Sequence, residues 1–163
     1  MSQRPYVLRT WAPRGQTPLL RHPGGWKKLS AAAGVTRRGF SFRRYPGSIQ
    51  ARQLIHFLGH LKRQLRGKIL LVWDRLGVHR RRAVRDWLAR QGGRFVVEEL
   101  PAYAPELNPV EYLWGWWKPN TAANGCARTE AALHWLARQG LRQAQRRKAT
   151  LVAAFWKQAD LHF

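Results

Sequence analysis

Two acidic residues stand at positions where carboxylates commonly do chemistry. Asp74 closes the apolar run from Lys68 to Trp73, which has the pattern of a strand. Glu111 follows Asn108 and Pro109, a helix-start pattern that makes Glu111 the third helical residue. Catalytic groups collect at the carboxyl ends of strands in open α/β sheets. Two such carboxylates can hold Mg²⁺ or Mn²⁺, and a pair of these ions supports phosphodiester cleavage.

Each of these residues also has a structural alternative. Asp74 can cap the turn that leads to His79, and Glu111 can complete a capping box at its helix start. His79 can contact DNA or the outer shell of a metal, or it can be a satisfied structural histidine. Glu106 is a less favoured substitute ligand, because its context is that of a loop approaching a helix. The residues alone leave the metal site and the structural roles evenly balanced.

The charge of the chain indicates a polyanionic partner. Thirty Lys and Arg residues stand against eight Asp and Glu, which gives a formal net charge of +22. A soluble domain rarely carries this self-repulsion without such a partner, and nucleic acid is the favoured one. A ribosomal-type protein or a membrane-surface binder would share the charge. Neither usually combines it with nine Trp residues in a mixed strand-and-helix pattern.

Length and cysteine content point to one intracellular domain. The chain of 163 residues has the size of a single domain, and we expect it to form one unit over residues 1–163. Its one cysteine, Cys126, excludes an internal disulfide and a zinc site of several thiolates, and is expected to fill space. The sequence contains neither a signal peptide pattern nor an apolar run of about 18 residues, so no membrane association is expected.

The order of predicted elements is that of an α/β fold with right-handed crossovers. The region from Tyr6 to Trp11 and its following turns is predicted as strand and turn. The connection from Arg142 to Lys148 is either a solvated linker or a phosphate contact. The apolar run ending at Trp73 is predicted to be buried on both faces in mid-sheet. The predicted strands are Lys28–Val35, Gly39–Tyr45, Lys68–Trp73 and Arg94–Leu100; the predicted helices run from a Ser48 cap to Arg66 before Gly67, over His79–Gln91, from Asn108, over Thr129–Gln143 and over Ala149–Asp160.

Three segments resemble successive blocks of the mariner-like insertion-sequence transposases. These are RTWAPRGQTP (Arg9 to Pro18), LLVWDRLGVHR (Leu70 to Arg80) and LPAYAPELNPVEYLWGWWK (Leu100 to Lys118). The resemblance extends to Phe163, and it implies a ribonuclease-H-like mixed sheet flanked by helices. It also implies a DDE-type catalytic site in which Asp74 and Glu111 are the second and third acids of an Asp, Asp, Glu/Asp triad. Thirty-six residues lie between them, close to the usual interval of that family.

The chain departs from the family pattern at the first acid. That Asp would precede the Thr-Trp-Ala-Pro block, yet no acidic residue occurs before Asp74. We therefore expect the first, central strand of the sheet to be missing, with neighbouring strand edges left unpaired. The helix-turn-helix part that recognises transposon ends is expected to be missing as well. The chain is then either a truncated product or the downstream half of a split reading frame, whose upstream fragment supplies the strand and its Asp.

The resemblance implies DNA transposition and integration in a bacterial cytoplasm, and it is compatible with a homo-oligomer. Because the first Asp is missing, we expect little cleavage by this chain alone. The alternative is a non-catalytic basic DNA-binding remnant, or a modulator of an intact transposase. Trp114 and Trp117 fall on an apolar stripe and are predicted core residues. The predicted DNA contacts are Arg80, Arg81, Arg82, Arg85, Trp116 and Lys118.

Overall fold

The secondary structure is a mixture of short strands and helices, as the sequence predicts. A computed structural model describes residues 7–19, 28–123, 127 and 129–160, so Cys126 and Tyr6 lie outside the described residues. In chain order the elements are β1 (Leu29–Thr36), β2 (Gly39–Pro46), α1 (Ala51–Gln64), β3 (Ile69–Trp73), α2 (Arg82–Ala89), β4 (Phe95–Glu99), a 3₁₀ turn (Pro105–Leu107), α3 (Pro109–Ala122), α4 (Glu130–Arg146) and α5 (Lys148–Gln158).

Strands β1 and β2 form the predicted antiparallel hairpin, with Leu29 opposite Pro46 and Thr36 opposite Gly39. Side chains of a strand alternate between its faces, so β2 meets different helices on its two sides. On one side the Tyr45 hydroxyl lies 2.9 Å from His56 Nδ1 of α1. On the other side Phe40 packs in the hydrophobic cluster that contains Leu141 of α4, and Gln145 of α4 donates to the carbonyl of Phe40 at 3.0 Å. The hairpin is therefore a layer between α1 and the C-terminal helices.

Two hydrophobic clusters lie on either side of this hairpin. The first fills the space between β1, β2 and helices α3, α4 and α5, and Leu113, Leu141 and Val152 are fully buried in it. The second joins α1 to α2, β3 and β4, and it contains Leu58 and Val84. Burial of such side chains is the main favourable term in folding, so these clusters fix the positions of the strands that lead into the candidate site.

Strands β3 and β4 pair in parallel, with Ile69 opposite Phe95 and Trp73 opposite Glu99, and α2 forms the crossover between them. The prediction that β3 is buried on both faces in mid-sheet was wrong. Its Leu70 is 63% exposed, and β4 is its one partner strand among the described residues. Only the face that packs into the cluster with α1 and α2 is covered. An apolar run predicts a strand but not the number of its partners.

Several predicted element ends were also wrong. Helix α1 begins after Gln50 rather than Ser48, because the Gln50 N–H donates to Gln53 Oε1 at 3.1 Å and closes the first turn. Helix α4 continues to Arg146, so Arg142–Lys148 is mostly helix rather than a linker. Residues 7–19 contain a turn but no strand.

Helix α2 begins at Arg82, three residues later than predicted, because the N-cap residue Arg81 has an extended backbone with φ −61° and ψ 135°. Across the part of the chain that the structure describes, no helix combines the length and apolar character needed to span a bilayer.

Candidate active site

Asp74 follows the last residue of β3, and one of its carboxylate oxygens is held by local contacts. Oδ1 accepts a hydrogen bond from the N–H of Leu76 at 3.0 Å and lies 3.1 Å from Nδ1 of His79. The turn-capping role anticipated for this residue is thus present. Oδ2 makes no hydrogen bond with any described residue, and the side chain is 45% exposed. The carboxylate is oriented by one oxygen while the other stays accessible to a ligand.

His79 is held between Asp74 and Trp73. Its Nδ1 lies 2.8 Å from the backbone oxygen of Asp74. Because a carbonyl oxygen only accepts, Nδ1 must carry the proton in this contact. The imidazole ring stacks on the indole of Trp73, which is buried at the end of β3. His79 therefore fixes the turn that carries Asp74.

Glu111 lies in the first turn of α3, and its side chain is exposed. Asn108 is the N-cap as predicted, since its Oδ1 accepts from the N–H of Val110 at 3.1 Å. The backbone N–H of Asn108 donates to the carbonyl of Pro105 at 3.0 Å. A capping box would need that same donor for Glu111, so the capping-box alternative was wrong. The exposed carboxylate of Glu111 makes no hydrogen bond or ion pair with the described residues.

Both acidic segments leave the sheet at its carboxyl edge, where the parallel strands β3 and β4 end side by side. Leu100, which follows β4, donates its N–H to the carbonyl of Trp73 at 2.8 Å. Arg75 forms an ion pair with Glu99 at 3.4 Å across the same edge. From Leu100 the chain passes through the 3₁₀ turn into α3. Whether Asp74 and Glu111 share one metal stays a prediction.

The donor types fit a hard divalent cation, but the chain supplies few of them. All eight acidic residues fall within the described ranges, and no group of three or more His, Cys, Asp or Glu side chains is placed there to hold a metal. Mg²⁺ and Mn²⁺ prefer oxygen ligands, which Asp74 and Glu111 offer. Glu106 is exposed in the 3₁₀ turn, where its backbone oxygen accepts from the Tyr112 hydroxyl. The ligand atoms are therefore of the type that Mg²⁺ and Mn²⁺ prefer, but two carboxylates are too few to complete the site.

The predicted DNA contacts differ in how open they are. The four arginines Arg80, Arg81, Arg82 and Arg85 are exposed around the start of α2. Arg82 forms an exposed ion pair with Asp86 at 3.6 Å. The first turn of α2 contains no acid, and cations at a helix N-terminus oppose the helix dipole. Helix stability therefore does not account for Arg80, Arg81 and Arg85, and their contact with DNA stays a prediction.

The aromatic residues of α3 mostly serve the core. Trp117 is 3% exposed, which confirms its predicted burial. Trp114 is partly buried and packs against Trp117 with ring centroids 5.9 Å apart. Trp116 is also partly buried against the first hydrophobic cluster, while Lys118 is exposed. Contacts of Trp116 and Lys118 with DNA stay predictions.

The fold is similar to those of two solved Mos1 structures. It is similar to the crystal structure of the Mos1 strand transfer complex, with a TM-score of 0.60 and 20% identity over 93% of this chain and 50% of that one. It is equally similar to the Mos1 transposase paired-end complex with left transposon end, with a TM-score of 0.61 and 21% identity over 93% and 51% of the two chains. These similarities confirm a ribonuclease-H-like mixed α/β fold. The chain spans about half the length of those transposase chains.

The family follows from the sequence itself. The model of the DDE superfamily endonucleases matches residues 1–134. This chain belongs to that family, and the mariner-like assignment from its three motif blocks is confirmed. No curated protein matches the chain significantly.

Proposed function

We propose that this chain is part of a DNA transposase catalytic domain, in which Asp74 and Glu111 hold Mg²⁺ or Mn²⁺ at the carboxyl edge of the β3–β4 sheet. The observation that carries the proposal is the state of the two carboxylates. Toward the residues that the structure describes, Asp74 keeps one oxygen unbonded and Glu111 keeps both, on segments that leave the same sheet edge. Both carboxylates are therefore accessible to a hard divalent cation, whose preferred ligands are oxygens.

The reaction of this class breaks a phosphodiester bond and joins the freed 3′ hydroxyl to target DNA. When bound, the metal supplies activation of the attacking oxygen and stabilisation of the leaving oxygen. The residues of the chain would position the metal. His79 holds the turn after β3, and this turn leaves Oδ2 of Asp74 accessible to the metal. The exposed arginines around the start of α2 bind phosphates without reading base sequence.

A third carboxylate would come from another polypeptide segment. Two ligands leave a metal pair weakly held, and no acid precedes Asp74 in this chain. Strand β3 has one partner among the described residues, and the exposed side chains Leu70, Val72 and Val96 lie on the β3–β4 sheet. An added strand ending in Asp would pair with the β3 edge and cover apolar surface. That segment is the proposed upstream partner of this chain.

DNA binding is tested by titrating fluorescent duplexes of two unrelated sequences at rising salt. Phosphate contacts predict similar affinities for both duplexes and a steep, linear loss of log affinity with log salt, about 0.9 in slope per contact. Substitution of Arg80, Arg81 and Arg85 by Gln should lower that slope. Arg82 is left in place because its ion pair with Asp86 supports α2. A salt-independent affinity, or no binding at low salt, would reject the proposal.

The second candidate function is a non-catalytic DNA-binding modulator of an intact transposase. The lack of any three-ligand metal group among the described residues favours it. Such a chain would bind DNA as above and reduce strand transfer when added to a complete enzyme of the same family. It would not gain cleavage when a strand bearing an Asp is supplied, whereas the catalytic fragment would.

A further inference from the structure

A second basic surface lies on the opposite side of the hairpin from α1, where β2 meets α4. Arg44 of β2 is half buried there, and its Nη1 donates to the backbone oxygen of His134 in α4. Burial, and then the positive charges of Arg138 and Arg142, lower the pKa of Arg44. Arginine nevertheless stays protonated in proteins, so three like charges are held together at one strand–helix contact.

The arrangement follows from the helix period. Arg138 and Arg142 lie four and eight residues after His134, which places them along one row of α4. Trp135 precedes Arg138 by three residues, so the two side chains are neighbours on the surface of α4. Its indole is 62% exposed and so is open to a ligand. Exposed aromatic rings beside cations are typical of surfaces that bind nucleic acids.

Few negative charges lie near this surface. The chain has no Asp or Glu at residues 131–159 or before Asp74, so β1, β2, α1 and α5 carry none. Glu130 is the one acid of α4, and its carboxylate lies 3.8 Å from Nε2 of His134 at the start of the helix. Arg44, Arg138 and Arg142 make no ion pair with the described residues. The repulsion among them has no counterion within the described part of the chain, and an external anion would provide one.

We propose that Arg44, Arg138 and Arg142, with the exposed ring of Trp135, form a DNA-binding site that takes a backbone phosphate at the junction of β2 and α4. The inference rests on the proposed function and adds to it a second DNA contact, separate from the arginines of α2. Both α4 arginines lie beyond the residues 1–134 that match the family model. The guanidinium groups would bind the phosphate oxygens in their planar fork geometry. Trp135 would pack against the adjacent sugar or an unstacked base.

The test compares two double variants with the same loss of charge. Arg138→Gln with Arg142→Gln alters the proposed site. Arg52→Gln with Arg66→Gln removes two exposed arginines on and just after α1, on the other side of the hairpin. Arg44 is left intact because its bond to α4 supports packing. The full chain and both variants are titrated with a fluorescent duplex at several salt concentrations, after circular dichroism has established equal helix content.

The site variant should lose about 0.9 in salt slope for each phosphate contact removed, and the control should lose much less. Trp135→Ala should weaken binding with little change of slope, because the ring carries no charge. If the wild-type chain binds DNA and the two double variants have equal salt slopes, the inference is overturned and the proposed function stands. No DNA binding by the wild-type chain would overturn both.

Inorganic phosphate separates a DNA contact from a site for the free anion. Phosphate is added to the wild-type chain and to the site variant during thermal unfolding. A phosphate-dependent rise of Tm that is larger in the wild-type chain, together with the lowered DNA slope of the variant, supports a site that takes a backbone phosphate. A phosphate effect on Tm without any difference in DNA binding would identify a free-anion site and reject the DNA contact.

Discussion

The imidazole of His79 lies flat on the indole of Trp73, with ring centroids 4.3 Å apart and 2° between the ring planes. The same imidazole contacts both the backbone oxygen and the carboxylate of Asp74 through Nδ1. Trp73 is 8% exposed at the end of β3, so a rigid core residue sets the plane of the ring. The ring in turn sets the direction of the carboxylate.

His79→Phe should separate the two contacts of this ring. Phenylalanine keeps an aromatic face for Trp73 but has no donor for Asp74, so stability should change little while Mn²⁺ affinity falls by about tenfold or more. His79→Ala should lose both. Isothermal titration with Mn²⁺ and thermal unfolding measure the two properties. A loss of stability in His79→Phe with unchanged Mn²⁺ affinity would show that His79 is structural only.

Acid should destabilise the fold through His60 of α1. Arg43 Nη2 lies 3.0 Å from His60 Nδ1, and arginine can only donate, so this nitrogen accepts and is unprotonated. Burial, and then the charges of Arg43, Arg63 and His56, lower the pKa of His60 from 6.5. The unfolded chain therefore binds the proton first as pH falls. The contribution of His60 to the free energy of unfolding should be constant above about pH 7. It should fall as pH drops through 6.5 toward the lowered pKa, and level off below that pKa.

Thermal unfolding of the wild-type chain and of His60→Gln between pH 8 and pH 5 measures this effect. Glutamine offers an acceptor for Arg43 but does not titrate, so the variant should lose less Tm on acidification than the wild-type chain. Equal losses in the two proteins would assign the acid sensitivity to other groups.

The sequence predicts most elements of this fold because the signals are local. Alternation in the hairpin strands and the Asn108-Pro109 helix start each depend on a few adjacent residues, and the structure confirms both. The pairing of β3 was mistaken because burial depends on elements distant in sequence. An apolar strand looks the same whether one face or both faces are covered.

The candidate site was also predicted only in part from the sequence. The motif blocks identify Asp74 and Glu111, but only the structure shows that Pro105 occupies the backbone donor that a capping box would use. The cluster of Arg44 with Arg138 was not predicted, because their positions differ by more than ninety in a chain with thirty Lys and Arg residues. Composition predicts a polyanionic partner, but it does not predict which Lys and Arg side chains lie close together in the fold.

Gly140→Ala should destabilise the protein at the contact of α4 with α3. A Cβ at Gly140 would overlap the side chain of Thr121, whose Oγ1 is buried without a hydrogen-bond partner among the described residues. Overpacking of this kind costs about 1–3 kcal/mol. Gly115→Ala in α3 is the matched control, because nothing lies within 4 Å of its Cβ position. Helix propensity alone should stabilise that variant by up to about 1 kcal/mol. Urea unfolding should give opposite signs for the two, and equal signs would contradict the close contact.

Cleavage by the chain should depend on a third carboxylate supplied from outside. With Asp74 and Glu111 alone the metal is under-coordinated, so the unassisted chain should show very slow or no Mg²⁺-dependent nicking of plasmid DNA. Adding a polypeptide whose strand pairs with β3 and ends in Asp should raise nicking, and Asp74→Ala or Glu111→Ala should abolish the gain. Glu99→Ala is the control, since this carboxylate lies at the same sheet edge in an exposed ion pair with Arg75, and it should retain the gain.

Rapid nicking by the unassisted chain would mean that another residue completes the site. Retained nicking in either Ala variant of the proposed pair would show that the variant residue is not a metal ligand.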